Sequence, residues 1–206
     1  MPNMDIVVED LDLGYEQCKD LSALANSQGA KLLDEFKNNI AQLKEHWIAS
    51  DATEHINNLI KVAKALGTLL GESTVYTSNA ADGMIGLQEL RNSNGGGGAI
   101  GDPLKKEGPQ TPSIAEVPPT KEYRCDKAHL GQDLETLISI GDSFDSFTNT
   151  FNDDVDSLLS NWKEGANHPD AEACFRRFAE DAESYKNLIK SAKDNLSTAV
   201  SNLNKI

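Results

Sequence analysis

Two tryptophans, Trp47 and Trp162, end two apolar seams in the same register, and this repeat restricts the fold more than any other feature of the chain. Counted backwards from Trp162 in alternating fours and threes, the positions are Leu158, Val155, Phe151, Thr148, Phe144, Gly141, Leu137, Leu134 and Leu130. Only Thr148 and Gly141 are not large and apolar. The same count from Trp47 gives Leu43, Ile40, Phe36, Leu33 and Gly29. A 3,4 alternation is the seam of a helix packed lengthwise against other helices. Turn-like residues follow each Trp, so each seam ends at a bend.

The rest of the chain fits two copies of one helical hairpin. Residues 1–12 are short, acidic and β-branched at Ile6-Val7-Val8, and read as an irregular N-terminal arm. The first long helix is expected to start between Asp12 and Asp20 and to run to about Trp47. Asp51 and Glu54 have the spacing of a capping box, so a second helix should open there. Its apolar face is Ile56, Leu59, Ile60, Ala63, Leu66, Leu69 and Leu70. Gly71 reads as a stop and Thr74-Val75-Tyr76-Thr77 as extended chain, with a short helix resuming from Ala80 to Leu90. The third helix is expected over about 127–162. The fourth should start near Pro169, with the seam Ala171, Phe175, Phe178, Ala182, Tyr185, Ile189, Ala192, Leu196, Ala199 and Leu203.

Between the copies, residues 95–120 hold a run of four glycines, two further glycines and five prolines. No Gly-Lys-Ser/Thr follows the glycines, so a mobile linker and not a phosphate cradle is the reading. The expected organisation is an arm at 1–12, a first hairpin at 13–94, the linker at 95–120 and a second hairpin at 121–206. Each hairpin leaves one apolar stripe uncovered, and packing the two buries both. The expected fold is all-α, a single-chain four-helix bundle. Head-to-tail packing asks the linker to cross about 45 Å, the length of a helix of about 30 residues, and 26 extended residues reach about 86 Å.

The net charge is −14, with 14 acids and 7 bases in residues 1–94 and 16 and 10 in 121–206. An acidic surface on both halves repels phosphates and anionic lipid heads, which argues against nucleic acid or membrane as partner. No apolar run approaches the roughly 20 residues that span a bilayer. The N-terminus has no basic stretch followed by an apolar run, so synthesis in the cytoplasm without a signal peptide is expected. Cys18, Cys125 and Cys174 share no paired spacing and read as reduced thiols.

Helix, Trp-containing bend, helix resembles the WXG-type (Trp-x-Gly), ESAT-like hairpins of bacterial type VII secretion. The bends here are Trp47-Ile48-Ala49-Ser50 and Trp162-Lys163-Glu164-Gly165. The small residue stands third after Trp, although Ala49 also fills the second place in the first copy. The resemblance covers about 13–92 and 127–206. It implies hairpins that pair head to tail, here joined within one chain, and a non-enzymatic role as a secretion substrate or secretion partner. It further implies another protein as partner, either the secretion machinery or a helical protein, with the formation of further oligomers left open. The family's export signal places an acid four residues after Tyr. Tyr15, Tyr76, Tyr123 and Tyr185 are followed there by Lys19, Ala80, Lys127 and Ile189.

Chemistry is not legible in the chain. Glu-x-x-His pairs, His-Glu-x-x-His and Gly-x-Ser-x-Gly are absent. Glu45-His46 and Glu54-His55 are adjacent and point to different faces. Asp51 and His55 stand one turn apart, and a capping Asp beside a solvated His explains them. Asp153, Asp154 and Asp156 read as a solvated helix face. The expectation is no catalytic residue, no cofactor and no metal. Each Trp with its small bend residue (Ala49, Ser50, Gly165) has a packing role, filling the wedge where helices diverge. Met84, Ile85 and Leu87 have no place in the seams and either cover a bundle end or form a docking patch. An intracellular helical adaptor unrelated to secretion is the alternative function.

Overall fold

The computed structural model describes residues 6–95 and 97–205. The first five residues of the expected arm lie outside the described residues. Helix α1 (Leu11–Leu24), a π-helical turn (Ala25–Gly29) and α2 (Ala30–His46) follow one another without a break. Then come α3 (Ser50–Ser93), α4 (Leu130–Asn161) and α5 (His168–Leu203). Four two- or three-residue strands complete the order: β1 (Val7–Val8), β2 (Trp47–Ile48), β3 (Arg124–Cys125) and β4 (Trp162–Glu164). The fold class is all-α.

Helix boundaries depart from the sequence reading in three places. Asp10, ahead of both expected caps, opens α1 by accepting from the Leu13 N–H at 3.1 Å. Helix α3 begins one residue before Asp51, and the Asp51 carboxylate accepts from the Ala52 N–H, so no capping box forms. Most importantly, α3 does not stop at Gly71. The segment 74–77, expected to be extended, is helical and buried on one side. The hydroxyls of Ser73 and Thr74 donate to the Leu70 carbonyl, and that of Thr77 donates to the Ser73 carbonyl at 2.8 Å. These bonds satisfy buried oxygens within the helix, and burial outweighs a β-preference of under about 1 kcal/mol per residue.

The described chain divides into two compact units, each drawing a segment from every one of the four helical stretches. The first takes its residues from Met1–Ala30, Thr68–Gln110 and Thr148–Glu180. Its core gathers Leu21 and Leu24 of α1, Leu70 and Met84 of α3, Phe151 and Leu158 of α4, and Phe175 and Phe178 of α5. Phe151 meets Phe175 edge-on at 5.8 Å between ring centres, and Tyr76 meets Phe175 edge-on at 6.3 Å. The second unit takes Lys31–Gly67, Thr111–Phe147 and Asp181–Ile206. Phe36 of α2 packs edge-on against Phe144 of α4 at 6.2 Å, with Ile40, Leu59, Leu137, Ile189 and Leu196 buried in the same unit. The edge-on geometry suits the ring quadrupoles. The seam positions are nearly all buried. Leu134, Gly141, Tyr185, Ala199 and Leu203 are half-buried.

Residues 99–123 form neither helix nor strand, yet they are tied to the helices within each unit. In the first, the Tyr15 hydroxyl donates to the Asp102 carbonyl at 2.7 Å, and Gln88 donates to the Gly98 carbonyl at 2.9 Å. A Cβ on Gly101 would stand 2.2 Å from the Tyr15 ring, and one on Gly108 would stand 2.6 Å from Thr74 Oγ1. Only glycine lets this backbone lie so close to α1 and α3. In the second, the Asn57 side chain binds both backbone groups of Val117, at 3.0 and 2.8 Å. Gly101 and Gly108 serve close approach here, not only freedom of movement.

Candidate functional site

The two bends repeat one arrangement. In the second unit the α2–α3 bend is extended, and Trp47 and Ile48 pair antiparallel with Cys125 and Arg124. The Asp126 N–H donates to the His46 carbonyl at 2.8 Å. In the first unit the α4–α5 bend is extended, and Trp162 and Glu164 pair with Val8 and Val7. The Glu9 N–H donates to the Asn161 carbonyl at 3.0 Å. Each bend is thus covered by the strand that leads into the opposite hairpin. The arm at 6–10 is a strand and a helix cap, not an irregular tail.

Both tryptophans are fully buried, as is Ala49, while Ser50 is exposed. The Trp47 ring lies parallel to His55 at 6.1 Å. The Trp162 indole N–H donates to the Glu164 carbonyl at 3.0 Å, and His168 stands edge-on to the ring at 4.8 Å. His168 Nε2 donates to the Trp162 carbonyl. A Cβ on Gly165 would come within 3.1 Å of Trp162 Nε1, so the glycine makes room for the indole. These contacts involve Trp47, Trp162 and Gly165, and Ser50 takes no part in them.

Met84 is not a surface residue. It is fully buried, and a Cβ added to Gly14 would stand 3.1 Å from its Cε and 3.0 Å from both Val8 Cγ1 and Asn161 Nδ2. Met84 therefore belongs to the packing beneath the second bend. Its long flexible side chain fills the space left by the missing side chain of Gly14. Ile85 and Leu87 are half-buried, and Val75 and Leu90 are the exposed apolar residues of the same helix.

The chemistry-bearing group is elsewhere. His46, Asp126 and His129 each place one ligand atom within 4.8 Å of the other two. The imidazoles of His46 and His129 stack at 4.9 Å with 18° between planes. His46 Nδ1 stands 2.7 Å from Asp133 Oδ2, and His129 Nδ1 stands 2.9 Å from Asp126 Oδ2. An ionised carboxylate only accepts, so both Nδ1 atoms donate in these bonds. The hydrogen bond from His129, helped by that from the Ala128 N–H, holds the Asp126 carboxyl below its ordinary 3.8. Asp133 is almost fully buried, and its carbonyl accepts from Asn39 Nδ2 at 3.1 Å.

The sequence carried a signal for this group, Asp126-x-x-His129-x-x-x-Asp133, with acids one turn to either side of a histidine. The spacing alone does not reveal the group, because its second histidine, His46, is distant in the chain and sits beside Glu45. The pair that the sequence did single out, Asp51 and His55, does not gather ligands: Asp51 binds a backbone N–H and His55 lies on Trp47. Asp156 pairs with Arg176 at 2.8 Å on the surface, as expected of a solvated face. No described helix is long and apolar enough to cross a membrane. Comparison with known proteins finds no matching family model, no matching curated sequence and no matching solved structure.

Proposed function

We propose that the protein is a fused pair of WXG-type hairpins, packed as a single-chain four-helix bundle, that works without catalysis by contact with another protein. On this reading it is a type VII secretion substrate or the partner of one, made in the cytoplasm and exported by a type VII-like route. The observation that carries it is the equivalence of the bends. Each opens on a buried Trp, and each is paired with the strand that enters the other hairpin. Two independent chains that had come to share one polypeptide would exchange arms in this way. Ring contacts between the hairpins support the same reading, because Phe36 of α2 meets Phe144 of α4 edge-on in the second unit and Tyr76 of α3 meets Phe175 of α5 edge-on in the first. An acidic surface with scattered exposed apolar residues such as Val75 and Leu90 suits protein contact better than phosphate or lipid.

The test is export. The tagged chain is expressed in a bacterium with a type VII system, with and without its membrane-bound ATPase. Appearance in the culture supernatant only when the ATPase is present supports the substrate form of the proposal. Retention in cells with ATPase-dependent co-purification of a secreted protein supports the partner form. Retention with neither behaviour favours the intracellular adaptor.

A further inference from the structure

We propose that His46, Asp126 and His129 form a binding site for a divalent transition metal of the zinc class, joining the first bend to the entry of α4. The donors would be one nitrogen from each imidazole and one Asp126 oxygen. Two imidazoles with a carboxylate suit zinc, cobalt, nickel or copper and not magnesium or calcium, which prefer oxygen alone.

Three features of the geometry point the same way. First, His46 ends α2 and His129 stands in the turn before α4, yet their rings stack at 4.9 Å. A turn cap explains Asp126 and His129, which are three residues apart, but does not require the His46 ring to stack on that of His129. Second, the His46 ring is held at Nδ1 by Asp133, a carboxylate outside the proposed ligand set. Histidines that bind metal through one nitrogen commonly donate from the other to a carboxylate, which fixes the tautomer and orients the ring. Asp133 does this from a nearly closed position, with 3 % of its side chain exposed against 57 % for that of His129. Third, the backbone is already closed at this point, because Asp126 N–H binds the His46 carbonyl and Cys125 pairs with Trp47.

Ligands about 2.0–2.1 Å from a tetrahedral ion stand about 3.3 Å apart. Closing from 4.8 Å requires a movement that the exposed His129 side chain supplies by rotation. The fourth position remains open to water, since the group offers three ligands. The bound ion would then act as a staple between the end of α2 and the turn before α4 within the second unit.

The test uses the full chain, stripped with chelator and titrated with Zn²⁺ by calorimetry and with Co²⁺ by visible absorption. The expected result is saturable 1:1 uptake, with d–d bands of a nitrogen–oxygen site for Co²⁺. H129A and D126N should each weaken binding by more than about 100-fold, and D133N by about 10-fold through looser orientation of His46. H129A alters an exposed side chain, so circular dichroism should show it folded even if H46A fails to fold. H55A should bind as the parent does. Absence of saturable uptake, uptake undiminished in H129A, or uptake lost in H55A would overturn the site. This outcome is separate from export and leaves the proposed function to its own test.

Discussion

The side-chain amide of Asn161 clamps the backbone of Asp10 from both sides. Its Oδ1 accepts from the Asp10 N–H at 2.8 Å, and its Nδ2 donates to the Asp10 carbonyl at 2.8 Å. Asn161 is the last residue of α4 and Asp10 caps α1, so one side chain joins the end of one helix to the start of another. Asn161→Ala should cost about 1–3 kcal/mol in urea denaturation, since it leaves the Asp10 N–H unpaired beside a buried position, while the Asp10 carbonyl keeps the Gly14 N–H at 2.9 Å. Asn161→Asp should also destabilise, because a carboxylate cannot donate to the Asp10 carbonyl.

Trp47→Ala and Trp162→Ala should each cost about 3–5 kcal/mol, the range for emptying a packed aromatic site. Both rings are fully buried, so the tryptophan fluorescence of the folded chain should be blue-shifted and poorly quenched by iodide. Chemical denaturation that leaves either alanine variant as stable as the parent would contradict the burial.

Met84 and Leu90 lie on one helix and should behave oppositely. Met84→Ala removes a core side chain and should cost about 2–5 kcal/mol. Leu90→Ser, at a residue 56 % exposed, should change stability by less than about 0.5 kcal/mol. Thermal melts of the two variants suffice to decide. A partner-contact role on this helix belongs to exposed positions such as Leu90 and Val75, not to Met84.

The three thiols should differ in reactivity. Burial pushes the Cys18 thiol up to about 12, and burial together with the hydrogen bond to Glu72 pushes Cys174 up to about 12. At pH 8 only about one in 10⁴ of each is thiolate, the reactive form. Cys125 is half-buried in β3. A disulfide reagent at pH 8 should titrate one thiol quickly in the folded chain and three after unfolding. Three fast thiols in the native protein would refute the burial of α1 and α5 at these positions.

Asp154 should be a mild liability at neutral pH. Partial burial, then the charges of Asp20 and Asp153, raise its carboxyl above the ordinary 3.8. A carboxyl whose pKa is raised on folding binds its proton more tightly in the native state. Stability contributed by this group therefore falls as pH rises through that window. Asp154→Asn should raise the Tm at pH 7, and the gain should vanish well below 3.8, where the acid is protonated in both states. Equal gains at both pH values would show that charge is not the cause.

The legible part of the fold was the part written locally. A residue every three or four positions must lie on one helix face, so Phe36, Phe144, Phe151 and Phe175 could be assigned to buried seams from spacing alone. Trp47 and Trp162 could be assigned to bends because the apolar period stops there. The error at Thr74–Thr77 was also local in origin: β-branched residues disfavour an isolated helix, and nothing nearby in the sequence shows that their hydroxyls would turn back on Leu70 and Ser73 within a buried helix. Gly101 and Gly108 read as freedom of movement, whereas the space they leave is filled by Tyr15 and Thr74.

The sequence by itself determined that the chain is helical, where its two bends fall and which faces turn inward, because these depend on periodicity within a few turns. Only the tertiary structure decided that Val8 and Cys125 cover the opposite bends, that Met84 lies inside, and that His46 meets His129 with Asp126 and Asp133 behind them. These are pairings across about 80 residues or more, between groups whose own neighbours look ordinary. Backbone pairing at the bends and the packing beneath them select such partners, and no local pattern encodes either.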